Sequence, residues 1–376
     1  MKSIREISDL NGKIVFLRVD FNVPIENGKV ADDFRIKRVF PTIDYLREKG
    51  ANIILASHMD GEREQASLVP VAKYLREFYD VLFVNDYYPN IPIDLKQAFH
   101  EKSLVLLENL RFYDGEKDDN IDFAKHLASF ADFFVNEAFA VSHRRHASIV
   151  SVPKFLPSFA GIFLEEEIKE ISRAFNPEHP FLLVLGGTKF ETKIPILKKF
   201  FSIADQVFVG GALANDLLKA KGLDVGHSVV SSKEVDVKEF LNSKLILPTD
   251  VVVKKGDEVS IKQIDEVRDG DVAVDVGPQS LNTLCTIVKK SRFVLWNGPL
   301  GNYEAGFIDG TETLAKCIAE ASNTSIVGGG HTVASIAKLD LNDEFTFVST
   351  GGGAMLDFLA NETLPGIEAL NNSFGL

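Results

Sequence analysis

Basic and polar side chains recur directly after short apolar runs in the first half of the chain: Asp20 and Asn22, His58, Asn109 and Arg111, then His143, Arg144, Arg145 and His146. Arg35 stands where a helical pattern begins. A single surface arginine is ordinarily a solvated charge or half of an ion pair. A set of them placed after successive strands reads instead as a site for a multiply charged anion, because open α/β sheets bind ligands beyond the carboxyl ends of their strands. In the second half the same positions carry glycine: Gly186-Gly187-Thr188-Lys189, Gly210-Gly211, Asn297-Gly298-Pro299, Gly328-Gly329-Gly330 and Gly351-Gly352-Gly353. Glycine lets backbone N–H groups approach phosphate oxygens, and a following helix start adds a favourable dipole. One such pair alone reads as a tight turn. Their repetition, with Lys189 and Lys193 alongside, reads as a polyphosphate and hence a nucleotide site.

Other chemistries fit less well. The sequence holds no GxxxxGK[ST], HExxH or GxSxG motif and no paired-cysteine metal site. The stretch GGGHTVA is a partial GxGxxG with Val333 at its last position, late in the chain. A nicotinamide-dependent oxidoreductase is therefore the weaker enzymatic alternative, since no acidic ribose partner follows a glycine fingerprint about 20 residues on in the first half.

The elements that must position these residues alternate in type from end to end. Strand candidates are 14–21, 52–58, 81–86, 104–109 and 132–139, followed by a second series that begins at 181–187 and continues through QVFVGG, KLILPTD, VAVDVG, FVLWNG, TSIVGGG and FTFVSTGGG. Helical patterns fall between them, as in 35–49, where Ile36, Val39, Ile43 and Leu46 recur at helical spacing and Gly50 follows as a stop. Pro41 inside that stretch predicts a kink or a divided helix. The pattern predicts an α/β protein of two doubly wound parallel-sheet, Rossmann-like domains. The charged stretch 163–180 reads as a helix hinge joining them. The predicted domains are 1–163 and 181–363, with 164–180 as interdomain helix.

Composition agrees with two domains, since 376 residues exceed what one core usually supports. A formal net charge of −13 repels nucleic acid and acidic membrane surfaces, so an anionic substrate must be held by locally clustered cations. The start, MKSIREISDL, has no apolar core of signal-peptide length, and apolar runs such as Phe181–Leu185 are far shorter than the roughly 20 residues of a membrane span. A cytoplasmic protein is expected. Cys285 and Cys317 lie far apart without a CxxC pair and are expected to be reduced, buried and structural.

The motifs LRVDFNVP (17–24), RIKRVFPTI, NLRF, VNEAFAVSHRRHAS, LGGTKFETK, LPTD, WNGPLGNYE, GGGHT and STGGGAMLDFL together resemble the phosphoglycerate kinase family, in its order and over nearly the whole chain. The resemblance implies reversible phosphoryl transfer from 1,3-bisphosphoglycerate to ADP, giving 3-phosphoglycerate and ATP, with Mg2+ accompanying the nucleotide. It implies an N-terminal phosphoglycerate domain, to which a tail at 364–376 returns, a C-terminal nucleotide domain, and a monomer. By the same resemblance Asp20, Asn22, Arg35, His58, Arg111 and Arg144 contact the phosphoglycerate, with Arg18 a further member of the basic patch. Lys189, Lys193, Gly210, Asn297, Glu304, Gly329, Gly330, His331 and Thr332 surround the nucleotide, Glu304 at its ribose. Arg35, Lys189, Gly329 and Gly352 lie nearest the transferring group.

Two departures stand out. Where the family usually reads SHLGRP, this chain reads SHMDGERE (57–64), so an expected arginine is replaced by Gly61, with Arg63 close by. Where the family usually reads GGGDT, His331 replaces an aspartate, and imidazole is a poor ligand for the hard Mg2+ ion. These departures favour one rival reading, a catalytically weakened relative that binds ligand without turnover. The mechanistic expectation is otherwise simple. Both the attacking phosphate oxygen of ADP and the carboxylate of the reverse reaction are already ionised, so no general base is needed. Catalysis rests on in-line positioning, charge stabilisation and a hinge closure that excludes water.

Overall fold

The computed structural model describes residues 1–90, 98–99, 104–188, 190–231 and 237–373, with only the backbone of Lys238. The chain divides into two compact units, Met1–Lys169 together with the chain from Thr363 on, and Glu170–Glu362.

The first unit is built on six strands: β1 (Ile14–Arg18), β2 (Asn52–Ala56), β3 (Val81–Val84), β4 (Leu104–Leu107), β5 (Phe133–Asn136) and β6 (Ser158–Ala160). They lie in the order β3-β4-β2-β1-β5-β6, and every pairing is parallel. Val15, Phe16, Leu17, Ile53, Ile54, Leu55 and Leu104–Leu107 are fully buried, as continuous apolar strands covered by helices on both faces should be. The helix Phe34–Glu48 buries Ile36, Val39, Ile43 and Leu46, the spacing legible in the sequence. It remains one helix through Pro41 rather than dividing. The short helix Pro365–Asn371 packs into this unit, where the Gly366 N–H donates to the Ser142 carbonyl at 2.8 Å.

The second unit repeats the plan with β7 (Phe181–Leu185), β8 (Gln206–Val209), β9 (Leu245–Ile246), β13 (Phe293–Asn297), β14 (Thr324–Gly328) and β15 (Phe347–Val348), in the order β9-β8-β7-β13-β14-β15, again all parallel. One expectation is corrected here. The strand in VAVDVG, β12 (Val272–Val276), does not join this sheet. It pairs antiparallel with β10 (Asp250–Lys255), which also forms a hairpin with β11 (Glu258–Gln263) through Gly256 at φ +60°. An apolar run reports that a strand is buried but not which sheet it enters.

A second correction concerns the cysteines. Cys285 and Cys317 form a disulfide, with Cα atoms 5.6 Å apart. The helices Pro278–Lys290 and Asp309–Ala319 pack side by side and bring together two residues that are 32 apart in sequence. That separation gave no local sign of pairing.

Helix Ile162–Ser172 carries the chain across the division between Lys169 and Glu170. Among the described residues no helix is long and apolar enough to cross a membrane.

Candidate active site

Because the strands of the first unit run parallel, their carboxyl ends share one edge, and the basic residues collect there. Arg18 ends β1 and is completely buried. Its Nε donates to Ser148 Oγ at 2.8 Å, and Glu116, also fully buried, lies 3.9 Å from its Nη2. Glu116 is in turn held by Ser148, through the hydroxyl at 2.6 Å and the backbone N–H at 2.9 Å. Charge on Arg18 is thus balanced below the surface, leaving the cations nearer the edge to act on a ligand.

Asp20 follows β1 and accepts from Arg35 Nη1 at 2.9 Å, while the same nitrogen reaches the Asn22 carbonyl at 3.2 Å. The first turn of helix Phe34–Glu48 thereby sets Arg35 over the edge of the sheet. His58 follows β2, with Nδ1 3.8 Å from Asp20 Oδ1 and 3.4 Å from Arg18 Nη2. Burial, then Arg18, Arg111, Arg144 and His146, hold its pKa well below 6.5. His146 is pushed down to about 4 by burial and by Arg111, Arg18, Arg144 and Lys117. Both imidazoles are therefore neutral near pH 7 and add no positive charge to this edge, which the arginines and Lys117 supply.

Arg111 follows β4 and is bonded to Asp60 through Nη1. Its Nε and Nη2 are buried and have no hydrogen-bond partner among the described residues. Two donors of a charged guanidinium left unmet in this way are costly unless a ligand completes them. Arg111 also lines a cavity of about 210 Å³, together with Met59, Asp60, Gly61, Arg63, Asn109, Phe112, Asp114 and Lys117. Arg63 lies over the Phe112 ring, 4.8 Å from its centroid, and donates to the Phe112 carbonyl at 3.4 Å. Asn22 and Asp60 bond each other twice, at 2.9 and 3.0 Å, which ties the loop after β1 to the loop after β2.

Asp20, Asn22, Arg35, His58 and Arg111 are thus brought together, and Arg144 acts electrostatically on both His58 and Arg111. Sequence reasoning missed Glu116, Ser148 and Lys117. A carboxylate in YDGEKDD offers no sign that it will be buried under a distant strand end.

On the second unit the carboxyl edge is made of backbone. The Gly186 N–H donates to Asn297 O at 3.0 Å and the Gly187 N–H to Pro299 O at 2.8 Å. Gly187, Gly211, Gly298, Gly329 and Gly352 all have positive φ. A methyl group on Gly186 or Gly298 would overlap the other's loop, so the close approach of these loops requires glycine. Around Gly330 and Gly352 the space is open. Gly210, Gly329 and Gly352 are the residues before helices Gly211–Ala220, Gly330–Lys338 and Gly353–Asn361. Three helix starts therefore share one edge, although the Leu213 N–H already donates to Gly187 O at 3.2 Å and the Ala354 N–H to Gly351 O at 2.9 Å, and their dipoles suit phosphate.

Lys193 is buried, and its Nζ lies 3.2 Å from where a side chain on Gly187 would begin. Asn297 is buried at the end of β13. Thr332 is fully buried, and its hydroxyl has no partner among the described residues. His331 stacks on Tyr303, with ring centroids 4.9 Å apart and planes 14° apart, and its Nε2 lies 3.7 Å from Glu304 Oε1. Lys189 lies outside the described residues. Among the described residues no group of three or more His, Cys, Asp or Glu is arranged to hold a metal ion.

Two doubly wound units, one with arginines gathered at its carboxyl edge and the other with glycine-lined helix starts, make two sites suited to anionic ligands. The family model for phosphoglycerate kinase matches residues 4–362. The phosphoglycerate kinase of Dictyoglomus turgidum is 40% identical over 383 residues, covering 97% of each chain. Two solved structures are similar throughout. Phosphoglycerate kinase from Coxiella burnetii has a TM-score of 0.83 at 36% identity, covering 98% of both chains. That from Pyrococcus horikoshii OT3 has a TM-score of 0.84 at 31% identity, covering 99% of this chain and 98% of its own. The chain belongs to the phosphoglycerate kinase family. Its reaction is the glycolytic transfer of a phosphoryl group between 1,3-bisphosphoglycerate and ADP, with a carboxyl group as acceptor in reverse.

Proposed function

We propose that the first unit binds phosphoglycerate through Asp20, Asn22, Arg35, His58, Arg111 and Arg144, and that the second binds the nucleotide at its glycine-lined edge. The observation that carries the first assignment is Arg111, which lines the cavity and keeps two buried nitrogens without a partner among the described residues. A phosphate or carboxylate oxygen would complete them with charge-assisted bonds. Arg63, on the wall of the same cavity, is assigned to the ligand's phosphate in place of the arginine that Gly61 replaces.

On the second unit Gly329, Gly330, Gly352 and Thr332 would donate to phosphate oxygens, with Lys193 and, by family resemblance, Lys189 neutralising their charge. Gly210 and Asn297 shape the pocket, and Glu304 takes the ribose. Mg2+ enters as part of the nucleotide substrate. The nearby donor set, His331 with an exposed carboxylate, does not supply the oxygen-rich octahedral shell that this ion prefers. Neither reacting oxygen needs deprotonation, so the residues named here orient the substrates in line and stabilise charge on the transferring group. Hinge closure about helix Ile162–Ser172, a monomeric state and a cytoplasmic location belong to the same proposal.

The test is a coupled assay of ATP- and 3-phosphoglycerate-dependent product formation, with and without Mg2+, on the intact protein and on Arg35→Ala and Lys189→Ala. Turnover that requires Mg2+ and collapses in both variants is the expected result. Ligand binding by calorimetry without turnover would instead favour a ligand-binding relative, the reading suggested by His331 and Gly61.

A further inference from the structure

One buried carboxylate in the first unit has no part in ligand binding. Glu137, the residue after β5, is fully buried. Its oxygens accept the backbone N–H groups of Phe163 at 2.9 Å and Leu164 at 3.1 Å, in the first turn of helix Ile162–Ser172. The Thr42 hydroxyl donates to the same carboxylate and accepts the Ile162 N–H at 3.1 Å. A helix start leaves its first N–H groups without partners inside the helix. Here two side chains from elsewhere in the sequence meet three of them, and a carboxylate at that end also complements the helix dipole. Gly161 must be glycine, since a methyl group there would overlap the Glu137 carboxylate.

Thr42 belongs to helix Phe34–Glu48, which carries Arg35 near its start. Arg38, on the same helix, lies 4.4 Å from the Phe163 ring centroid and donates to Glu166 at 3.1 Å. The Arg35 helix and the first turns of the connecting helix are therefore bonded at successive points. Glu137 sits at the junction, and burial raises its pKa to about 7 against the opposing pull of Thr42, Phe163 and Leu164.

We propose that Glu137 and Thr42 are positioning residues for phosphoryl transfer: they lock the first turn of the connecting helix to the helix bearing Arg35, so that the ligand-binding body sets the direction in which the chain leaves the first unit. This inference rests on the assignment of phosphoglycerate to that unit.

The variants are Glu137→Gln, Thr42→Val and, as the conservative control, Thr42→Ser. Two measurements are made on the intact protein: kcat and KM for both substrates, and hydrogen exchange at the Phe163 and Leu164 amides with and without 3-phosphoglycerate. Glu137→Gln and Thr42→Val are expected to lower kcat by roughly 10- to 100-fold, the scale of a remote misplacement. Both KM values should stay within about twofold. Amide exchange should quicken at both positions, and Thr42→Ser should restore the wild-type values. If Glu137→Gln does not fold, Thr42→Val carries the comparison. Wild-type kcat with lowered thermal stability alone would overturn the proposal and leave a simple helix cap. Failure of the wild-type protein to bind 3-phosphoglycerate in calorimetry would overturn the ligand assignment instead, while exchange in the unliganded protein would still report on the lock.

Discussion

Arg111 and Asp60 are bonded to each other on the wall of the pocket, yet Arg111 keeps two buried nitrogens without a partner among the described residues. The bond orients the guanidinium and leaves its fork for a ligand. Arg111→Lys preserves charge but removes the fork. It should raise KM for 3-phosphoglycerate by about 10- to 100-fold, the loss of one charge-assisted bond, with a smaller change in kcat. Asp60→Asn weakens the competing anion and should lower KM a few-fold. Steady-state kinetics check both, and equal KM values in all three proteins would remove Arg111 from the ligand site.

Arg63 is more exposed, and among the described residues it is held by Phe112, through its carbonyl and its ring. Arg63→Ala should raise KM for 3-phosphoglycerate by roughly 3- to 10-fold, less than Arg111→Lys because solvent screens an exposed cation. The nucleotide KM should not change. Calorimetric titration with 3-phosphoglycerate gives an independent reading, and unaltered affinity would show that Gly61 has no substitute on this wall.

His331 stacks on Tyr303 near Glu304. Replacing it with aspartate adds an oxygen ligand at the start of helix Gly330–Lys338. His331→Asp should lower the Mg2+ concentration needed for half-maximal rate. An unchanged Mg2+ dependence would mean that this position does not face the nucleotide's metal.

Much of this was legible in the sequence, for reasons that also mark its limits. The runs at 14–18, 52–56 and 104–107 are strands buried on both faces, so continuous hydrophobicity revealed them. Asp20, His58 and Arg111 were legible because parallel strands put every following loop on one edge. Glu116, Ser148 and Glu137 were not legible, because a buried polar residue is recognised by its partners and those lie far away in sequence. The antiparallel sheet of β10, β11 and β12 was hidden for a related reason, since register with a distant strand decides the sheet a run joins. The cysteines were misread because packing between two helices brought them together.

Burial raises Asp275 to about 6, against the pull of the Gly310 and Val276 N–H groups it accepts. The folded protein therefore holds a proton that the unfolded chain, with its usual value of 3.8, releases. Unfolding free energy from this group must fall as pH rises from about 4 to 6, by at most about 3 kcal/mol. Asp275→Asn cannot titrate. The difference in stability between the wild type and this variant, followed by urea denaturation, should move against the wild type across that window. A difference that stays flat would contradict the sign.

The Cys285–Cys317 bridge closes a loop across a sequence separation of 32. The chain-entropy estimate for a loop of that size is about 3 to 4 kcal/mol. Reduction, or the double change to serine, should lower Tm by several degrees. Identical melting with and without reductant would show that the bridge does not constrain the unfolded chain.

Two histidines of the first unit, His58 and His146, add no titrating charge to its ligand edge near neutral pH. Arginines stay ionised throughout the physiological range, while His58 and His146 are held neutral down to acid values well below it. Between roughly pH 6 and 9 neither His58 nor His146 gains or loses a proton. A phosphomonoester, whose second ionisation falls near 6, does change its charge at the lower end of that range. A pH dependence of phosphoglycerate affinity there therefore does not come from His58 or His146, and the ligand's own ionisation supplies one source of it.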